Sequence, residues 1–495
     1  MGTRSSISIG PFSGGLNSVA NTPDTIADNE LAVCMNFDFT YDGTLQTRPP
    51  VPKEAITGNV DVDGFFINIL GFYVDSSQNP YTIAEINQKL FYRLGPTTNL
   101  AATTSVWTYI IGPVGVCSAG IQYADKFYFV VEGTNGGSWS PSGGYVNVPS
   151  MPSGSSIQIF KERLWITGYN VTGTASRLYY SNIGTGSTWS GSDFVDIEIG
   201  NGQSLNTSFA SANALYLFKS NSTYILTYDT LPARGTIQNI STTIGTANRH
   251  SIGAYEGTIF VLYGQNVYKL DGYTYSRISN KVAISRGVVE SPAYNMQASL
   301  SVVGDRILIQ FRDRYYCYYP ITNTWTQWEI TSSTKWYYIP GSIKKYGYGI
   351  YLSCQNRFIT AVTSQVAVIQ DTPNKVGIQV DPTGNNPRLR TKQYTLDSPS
   401  MFKRLHSWGA DLSIDSQNVF PFPATLRAIS PTVYTTSVVT FDSARKYVKA
   451  NQSCRFLRLS FEVELTSYDY TNVSSIYKVH ANVSQKQDPV SRSET

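Results

Sequence analysis

IQIFKERLWITGYN (157–170), SRLYYSNIGTGSTWSGSDFVDIEIG (176–200), NALYLFKSNSTYILTYD (213–229) and GTIFVLYGQNVYKLDGYTYSRIS (257–279) are successive phrases of the stretch around Gln158 to Ser276. Each is a short apolar or aromatic run, a polar turn, and a second run that ends near Gly, Asp or Asn. Recurrence at roughly forty-odd residues is the spacing of a small antiparallel sheet repeated as the blades of a propeller. The expected fold class is therefore all-β, a β-propeller of six or seven blades carrying an attachment at each end.

Working outward, DGFFINILGFYV (63–74), PYTIAEINQKLFYRL (80–94) and TSVWTYI (104–110) read as a first blade, and GVCSAGIQYADKFYFVVEG (115–133) as a second. SWSPSGGYVNVPSMPSGSS (138–156) reads as a polar loop. In the third unit Glu162-Arg163 is expected as the turn, LWITG as a buried strand, and Trp189 and Phe194 as seals against the neighbouring blade. LPARGTIQNISTTIGTANRHS (231–251) has the spacing of a blade-to-blade connection. The sixth unit spans 299–330, with Ile307, Ile309 and Phe311 to one side and a turn at Asn323–Trp325, and a seventh spans 336–362. Blade number stays open, because a terminal blade is often completed by strands from both ends of the chain.

The flanks differ in rhythm. Residues 1–60 read as an extended N-terminal arm with apolar anchors Leu16, Ile26, Leu31, Phe37 and Phe39, a short helix over Ala27 to Met35, and a hairpin turn at Asp42-Gly43. The propeller is expected over 61–372, a Pro/Gly/Asn linker over 373–387, an antiparallel β-sandwich-like domain over 388–484, and a disordered tail over 485–495. SFEVEL alternates, and FKRLHSWGADL is expected to pair across the sheet.

Charge is nearly balanced, 38 basic against 34 acidic residues, which argues against a dedicated nucleic-acid binder. Tyr is plentiful, 35 against 22 Phe, as on strands and on surfaces held in permanent assemblies. Cys34, Cys117, Cys317, Cys354 and Cys454 show no ligand spacing, so the expectation is free thiols, no metal and no cofactor. No run approaches the roughly 18 apolar residues of a membrane span.

Chemistry is sparse. No GxSxG, HExxH or P-loop occurs, and His250, His406 and His480 stand in unrelated contexts. SNIGTGSTWS (181–190) is similar to the Asp-box turn of sialidase-like propellers but lacks the Asp. Asp61-Val-Asp63-Gly64 lacks the rest of a calcium loop. Asp193, Asp196 and Glu198 are the carboxylates a carbohydrate-active propeller would need to pair. The expectation is no catalytic residue. Candidate channel or phosphate contacts are Lys344, Lys345, Arg388, Arg390 and Lys392; solvated edges or subunit contacts are the blander role for them.

PFSGGLN, the acidic and small residues after it, and NFDFTYDGTLQTRPP together resemble the opening of tail nozzle proteins of short-tailed bacteriophages and of propeller-bearing minor tail proteins of long-tailed ones. The matching positions are Gly14, Gly15, Leu16, Asn17, Asn36, Asp38, Gly43, Arg48 and Pro49. The RLW…SRLYYS…TW wording of the third unit and the FKRL and RFLRLSFEVE pair of the C-terminal region resemble the same group. The resemblance implies a late virion structural protein of the tail, made in the host cytoplasm. It implies a homo-hexameric ring below an adaptor or head-to-tail protein, with tail fibres or spikes as partners, transient contact with genomic DNA during ejection, and no membrane insertion of its own. Alternatives are a minor tail or baseplate protein of a long-tailed phage, and a carbohydrate-binding or glycosidase-like propeller.

Overall fold

In the computed structural model the quoted phrases become consecutive four-stranded antiparallel sheets. The structure describes residues 4–282, apart from 20–24, 41–42, 49–52, 58–66, 87–88, 95–103, 107, 113–114, 169–172 and 247–249. Beyond these it describes 299–329 without 304 and 312–313, the strands between 344 and 370, residues 386–394, and the strands and adjoining residues between 403 and 485. Among the described residues there is no α-helix, only two short 3-10 turns.

Among the described residues seven blades form a ring. The first has its strands, from the axis outward, at Ile67–Val74, Pro80–Ile86, Lys89–Leu94 and Thr108–Ile110; the second follows from Cys117–Tyr123 to Gly144–Asn147. The third runs from Gly154–Phe160 to Phe194–Asp196, the fourth from Leu205–Ala210 to Thr236–Ser241, the fifth from Ile252–Tyr255 to Thr274–Arg277, and the sixth from Ser299–Val303 to Thr324–Glu329. The seventh takes Lys344–Tyr346, Gly349–Cys354 and Gln365–Gln370 from late in the chain and its outer strand, Lys53–Thr57, from early in it. Thr104–Val106 then lies parallel to Lys53–Thr57 as a fifth strand. Closure by strands distant in sequence makes the ring a cooperative unit, and the inner strand of the seventh blade touches that of the first.

Turn chemistry explains the hairpins. Lys161 and Glu162 both have positive φ (48° and 55°), so they form the tight two-residue turn whose twist matches the flanking strands. The expected turn at Glu162-Arg163 is thus one residue early in the chain: Arg163 already pairs with Phe160. Between blades the faces interdigitate. Leu70, Ile83 and Leu90 of the first blade pack on Phe127, Phe129 and Trp139 of the second. Tyr128 and Val130 of the second meet Leu164, Ile166 and Trp189 of the third, so Trp189 does seal a blade boundary. Phe194 lies only half-buried on the outer strand, against Tyr179 and under the Arg177 guanidinium.

Three expectations about elements fail for physical reasons. The 138–156 stretch holds the end of a third strand, Thr134–Ser140, and an outer strand, Gly144–Asn147. There Gly136 and Gly137 make room for Met151 and for the rings of Phe129 and Tyr145, so small residues mark packing rather than a loop. The 231–251 connection contains Thr236–Ser241, the outer strand of the fourth blade, exposed and therefore polar. The helix expected over Ala27 to Met35 is a turn followed by the strand Glu30–Met35, because Arg388–Thr391, far away in sequence, supplies its partner.

The segment expected as an arm is divided. Lys53–Thr57 closes the ring, while the strands before it complete two sheets of the C-terminal region. In one sheet Lys403–Asp415 and Val473–Gln485 pair centrally, flanked by Arg4–Ile9, Leu45–Thr47, Phe37–Phe39, Cys454–Phe456 and Tyr447–Ala450. In the other, Glu30–Met35, Arg388–Thr391, Ser460–Leu465, Phe422–Ile429 and Tyr434–Phe441 follow in order. Trp408 and Phe461 meet between them, ring centroids 5.0 Å apart. Ser460–Leu465 is a central strand buried on both faces, so its expected alternation is absent from the burial. A single parallel pair, Met35 with Gln327, joins this sheet to the sixth blade. The linker 373–385 and the tail 486–495 lie outside the described residues.

Candidate functional site

The residues of the N-terminal motif converge on the joint between the terminal sheets and the sixth blade. Gly15 turns the chain at φ +70°, and a Cβ there would stand 2.9 Å from both Thr324 Cβ and the Trp325 nitrogen. Leu16 is buried, and Asn17 Nδ2 donates to Glu30 Oε2 at 2.7 Å. Burial would raise the Glu30 pKa, but bonds from Asn17 and Lys281, the latter at 2.9 Å, leave it below the usual range. The Gly14 nitrogen bonds the Asn29 carbonyl, and Gly43, φ +79°, turns Phe37–Phe39 into Leu45–Thr47. Pro49 lies outside the described residues.

The joint is polar at its centre. Arg48 Nε donates to Asn36 Oδ1 at 3.0 Å, and the Asn36 nitrogen donates to the Gln327 carbonyl at 2.7 Å. Trp328 Nε1 donates to the Phe37 carbonyl at 3.1 Å. Buried Asp38 receives Arg306 Nη1 at 2.7 Å and the Tyr319 hydroxyl. Burial nonetheless holds its pKa above the ordinary carboxylate value, with Arg306 acting against that rise. These groups fasten two modules; nothing among them has the geometry of a nucleophile with its base.

The candidate basic residues separate. Lys344 and Lys345 sit on the innermost strand of the seventh blade, which borders the axis. Arg388, Arg390 and Lys392 belong to the sheet beyond the outer edge of the sixth blade. Arg390 Nε pairs with Glu462 at 2.9 Å, Lys392 with Asp28, and Arg427 spans Glu462 (2.8 Å) and Glu464, so these three cations meet carboxylates of the same chain.

The candidate acids have different partners. Asp196 takes a bidentate contact from Arg177, at 2.9 and 3.1 Å. Glu198 offers its carbonyl to Lys219 Nζ at 2.9 Å, while Asp193 lies in the loop before Phe194–Asp196. The Ser181–Ser190 turn is closed by the Asn182 nitrogen donating to the Thr188 carbonyl and by Trp189 Nε1 donating to the Gly186 carbonyl, both within the loop. His406 bonds Ser484, and His480, on the neighbouring strand of the same sheet, pairs with Gly409. Among the described residues no three metal-ligating side chains converge. Asp61 and Asp63 lie outside them.

What the repeats do build is a face. In each blade the turn between the first and second strands and the turn between the third and fourth emerge on the same side. On that side adjacent blades are laced through turn carbonyls. Tyr73 Oη donates to the Asp125 carbonyl at 2.8 Å, Tyr123 Oη to the Glu162 carbonyl at 2.7 Å, Lys161 Nζ to the Tyr228 carbonyl, and Tyr216 Oη to the Gly272 carbonyl at 3.3 Å. Within the third blade the Gly184 nitrogen donates to the Glu162 carbonyl at 2.9 Å, tying inner turn to outer turn. The inner turns carry Asp75, Asp125, Glu162, Glu256 and Asp305. An aromatic residue followed by an acid one or two places later (Tyr73/Asp75, Tyr123/Asp125, Phe160/Glu162, Tyr255/Glu256) is the sequence signal for this face, and it was readable in the repeats.

No family model matches the chain, and no curated protein matches it. Solved structures similar to it include a catalytically inactive virginiamycin B lyase from Staphylococcus aureus with quinupristin, at 11% identity and TM-score 0.42, covering 65% of this chain and 99% of that one. BamB from Moraxella catarrhalis is similar at 10% identity and TM-score 0.39, over 75% of this chain and 100% of that one. The Pan2 WD40 domain of Neurospora crassa is similar at 8% identity and TM-score 0.41, over 63% and 91%. The likeness is one of fold and carries nothing about activity.

Proposed function

We propose that this protein is a structural component of a bacteriophage tail, a ring that extends the DNA conduit, retains the packaged genome and supports adhesion proteins. The observation that supports this reading is that the two segments carrying the resemblance, the Gly14–Arg48 motif and the Lys403/Cys454–Leu465 pair, are interleaved in one pair of sheets. A module assembled from both ends of the chain and bolted to one blade suits a building block that must hold its shape under load. The closed ring and its turn-to-carbonyl lacing fit the same purpose. In this reading the protein is not an enzyme, and Asp196, one of the candidate carboxylates, is held by Arg177. Hexameric stoichiometry, adaptor and fibre partners and a virion location come with the resemblance.

Electron microscopy of particles assembled without this gene product tests the proposal. Tails truncated below the head, with loss of packaged DNA, are expected. Particles with complete tails would refute it.

A further inference from the structure

The laced face has a second ring outside the carboxylates. Large apolar side chains are exposed at the third-to-fourth-strand position of five blades: Leu94 at the end of the first blade's third strand, Ile183 in the third, Leu231 in the fourth, Tyr273 in the fifth and Ile321 in the sixth. Their exposures run from 48% for Leu231 to 57% for Ile183, so none is a core residue grazing the surface. A scattered exposed Leu or Ile needs no explanation, but the same topological position filled in five blades does. Inner turns lie nearer the axis and outer turns nearer the rim, because the first strands of neighbouring blades touch one another. The face thus carries carboxylates toward the centre and, toward the edge, exposed apolar side chains beside Asp229, Arg234 and Asp271.

The cations of the same turns are engaged by groups of the chain itself. Lys161 reaches the Tyr228 carbonyl, Arg163 donates to the Ser181 carbonyl at 2.6 Å, and Arg306 binds Asp38. Lys126 remains beside Asp125. Asp75 is engaged in its own turn by Ser77 and Asn79, whereas Asp125, Glu162 and Glu256 are exposed.

We propose that this face docks a protein partner that brings lysine or arginine toward the propeller axis and apolar side chains toward its rim. Charge complementarity selects that occupant. Nucleic acid would set phosphates against carboxylates, and a second copy placed face to face would set carboxylates against carboxylates. The lacing makes the face preorganised, so little ordering entropy is lost on docking. The inference stands apart from the tail reading, since it uses only the propeller.

The test uses the full chain and a fluorescein-labelled peptide alternating lysine and leucine, read by fluorescence anisotropy. A matched glutamate and leucine peptide and double-stranded DNA serve as competing probes. Two variants separate the two rings: Ile183→Ser with Leu231→Ser, Tyr273→Ser and Ile321→Ser, and Asp125→Asn with Glu162→Gln and Glu256→Gln. All seven positions lie in turns and are exposed, and unchanged thermal unfolding checks that both variants fold. The lysine peptide is expected to bind the native chain, to bind the serine variant at least about tenfold more weakly, and to lose most of its salt dependence on the amide variant. Equal binding to native chain and both variants would overturn the proposal. So would tighter binding of the acidic peptide or of DNA, or self-association abolished by the serine variant.

Discussion

Replacing Asp38 by Ala tests the joint between the terminal sheets and the propeller. Asp38 and Arg306 approach to 2.7 Å, and the two side chains are 9% and 12% exposed. At an effective dielectric constant of about 20 such a pair attracts by roughly 6 kcal/mol, while removing each ion from water costs several kcal/mol. The two nearly cancel, in keeping with an Asp38 pKa that stays raised by burial in spite of Arg306. The cost of truncation is therefore not the worth of the pair. It is the cost of stranding Arg306 and the Tyr319 hydroxyl, about 3–5 kcal/mol for a broken buried pair. The lower end applies because Arg306 Nε keeps Asp305 at 3.3 Å. In scanning calorimetry about 3 kcal/mol corresponds to a shift of roughly 6–12 °C if the cooperative unit is roughly 150–250 residues. Combining Asp38→Ala with Arg306→Met removes the stranded charge and should recover most of the loss. A shift under about 2 °C for the single variant, or a double variant as unstable as the sum of its singles, would refute this account of the joint.

Glu464 gives a pH dependence. Burial pushes its pKa up, but Asn386 at 3.1 Å, Arg427 and nearby Arg388 outweigh burial and leave it below the ordinary 4.5. A lowered folded-state value means stability that is present above 4.5 and is lost as pH falls toward the folded value; thermal midpoints should thus drop more steeply below pH 4.5 in the native chain than in Glu464→Gln. Burial, helped by Glu85, pushes the Cys117 thiol up to about 12, and Cys34 and Cys317 are also raised by burial. Iodoacetamide at mildly alkaline pH should leave all three unmodified until denaturant is added, as read by peptide mass spectrometry. Lys219 is fully buried and bonds Ser176 Oγ, the Glu198 carbonyl and Asn201 Oδ1 at 2.9–3.1 Å between the third and fourth blades. Lys219→Met strands those acceptors, with an expected loss of about 2–3 kcal/mol in urea unfolding.

Hairpins closed by local turn chemistry were legible in the chain: the pairing around Gly264-Gln265 needs only neighbours in sequence, and the turn expected at Glu162-Arg163 falls one residue earlier, at Lys161-Glu162. Outer strands were not, because Gly144–Asn147 and Thr236–Ser241 face solvent and carry loop-like composition. Glu30–Met35 misled for a different reason: six apolar and polar residues fit helix or strand, and a partner some 350 positions on decides. Completion of the ring by Lys53–Thr57 is likewise invisible locally, although the uncertainty between six and seven blades pointed at it. The motif residues from Gly14 to Arg48 stood out as non-chemical, and their meeting with Arg306, Tyr319 and Trp328 is a tertiary fact. The laced face was the reverse case, written in the repeats as an aromatic followed by an acid yet recognisable only once the turns share one side.

Cryo-electron microscopy of the purified full-length protein tests the central claim most directly. A tail conduit predicts a closed ring of identical subunits, six-fold by the family resemblance, around an open central hole. A uniform population of single 54.7 kDa particles would contradict it.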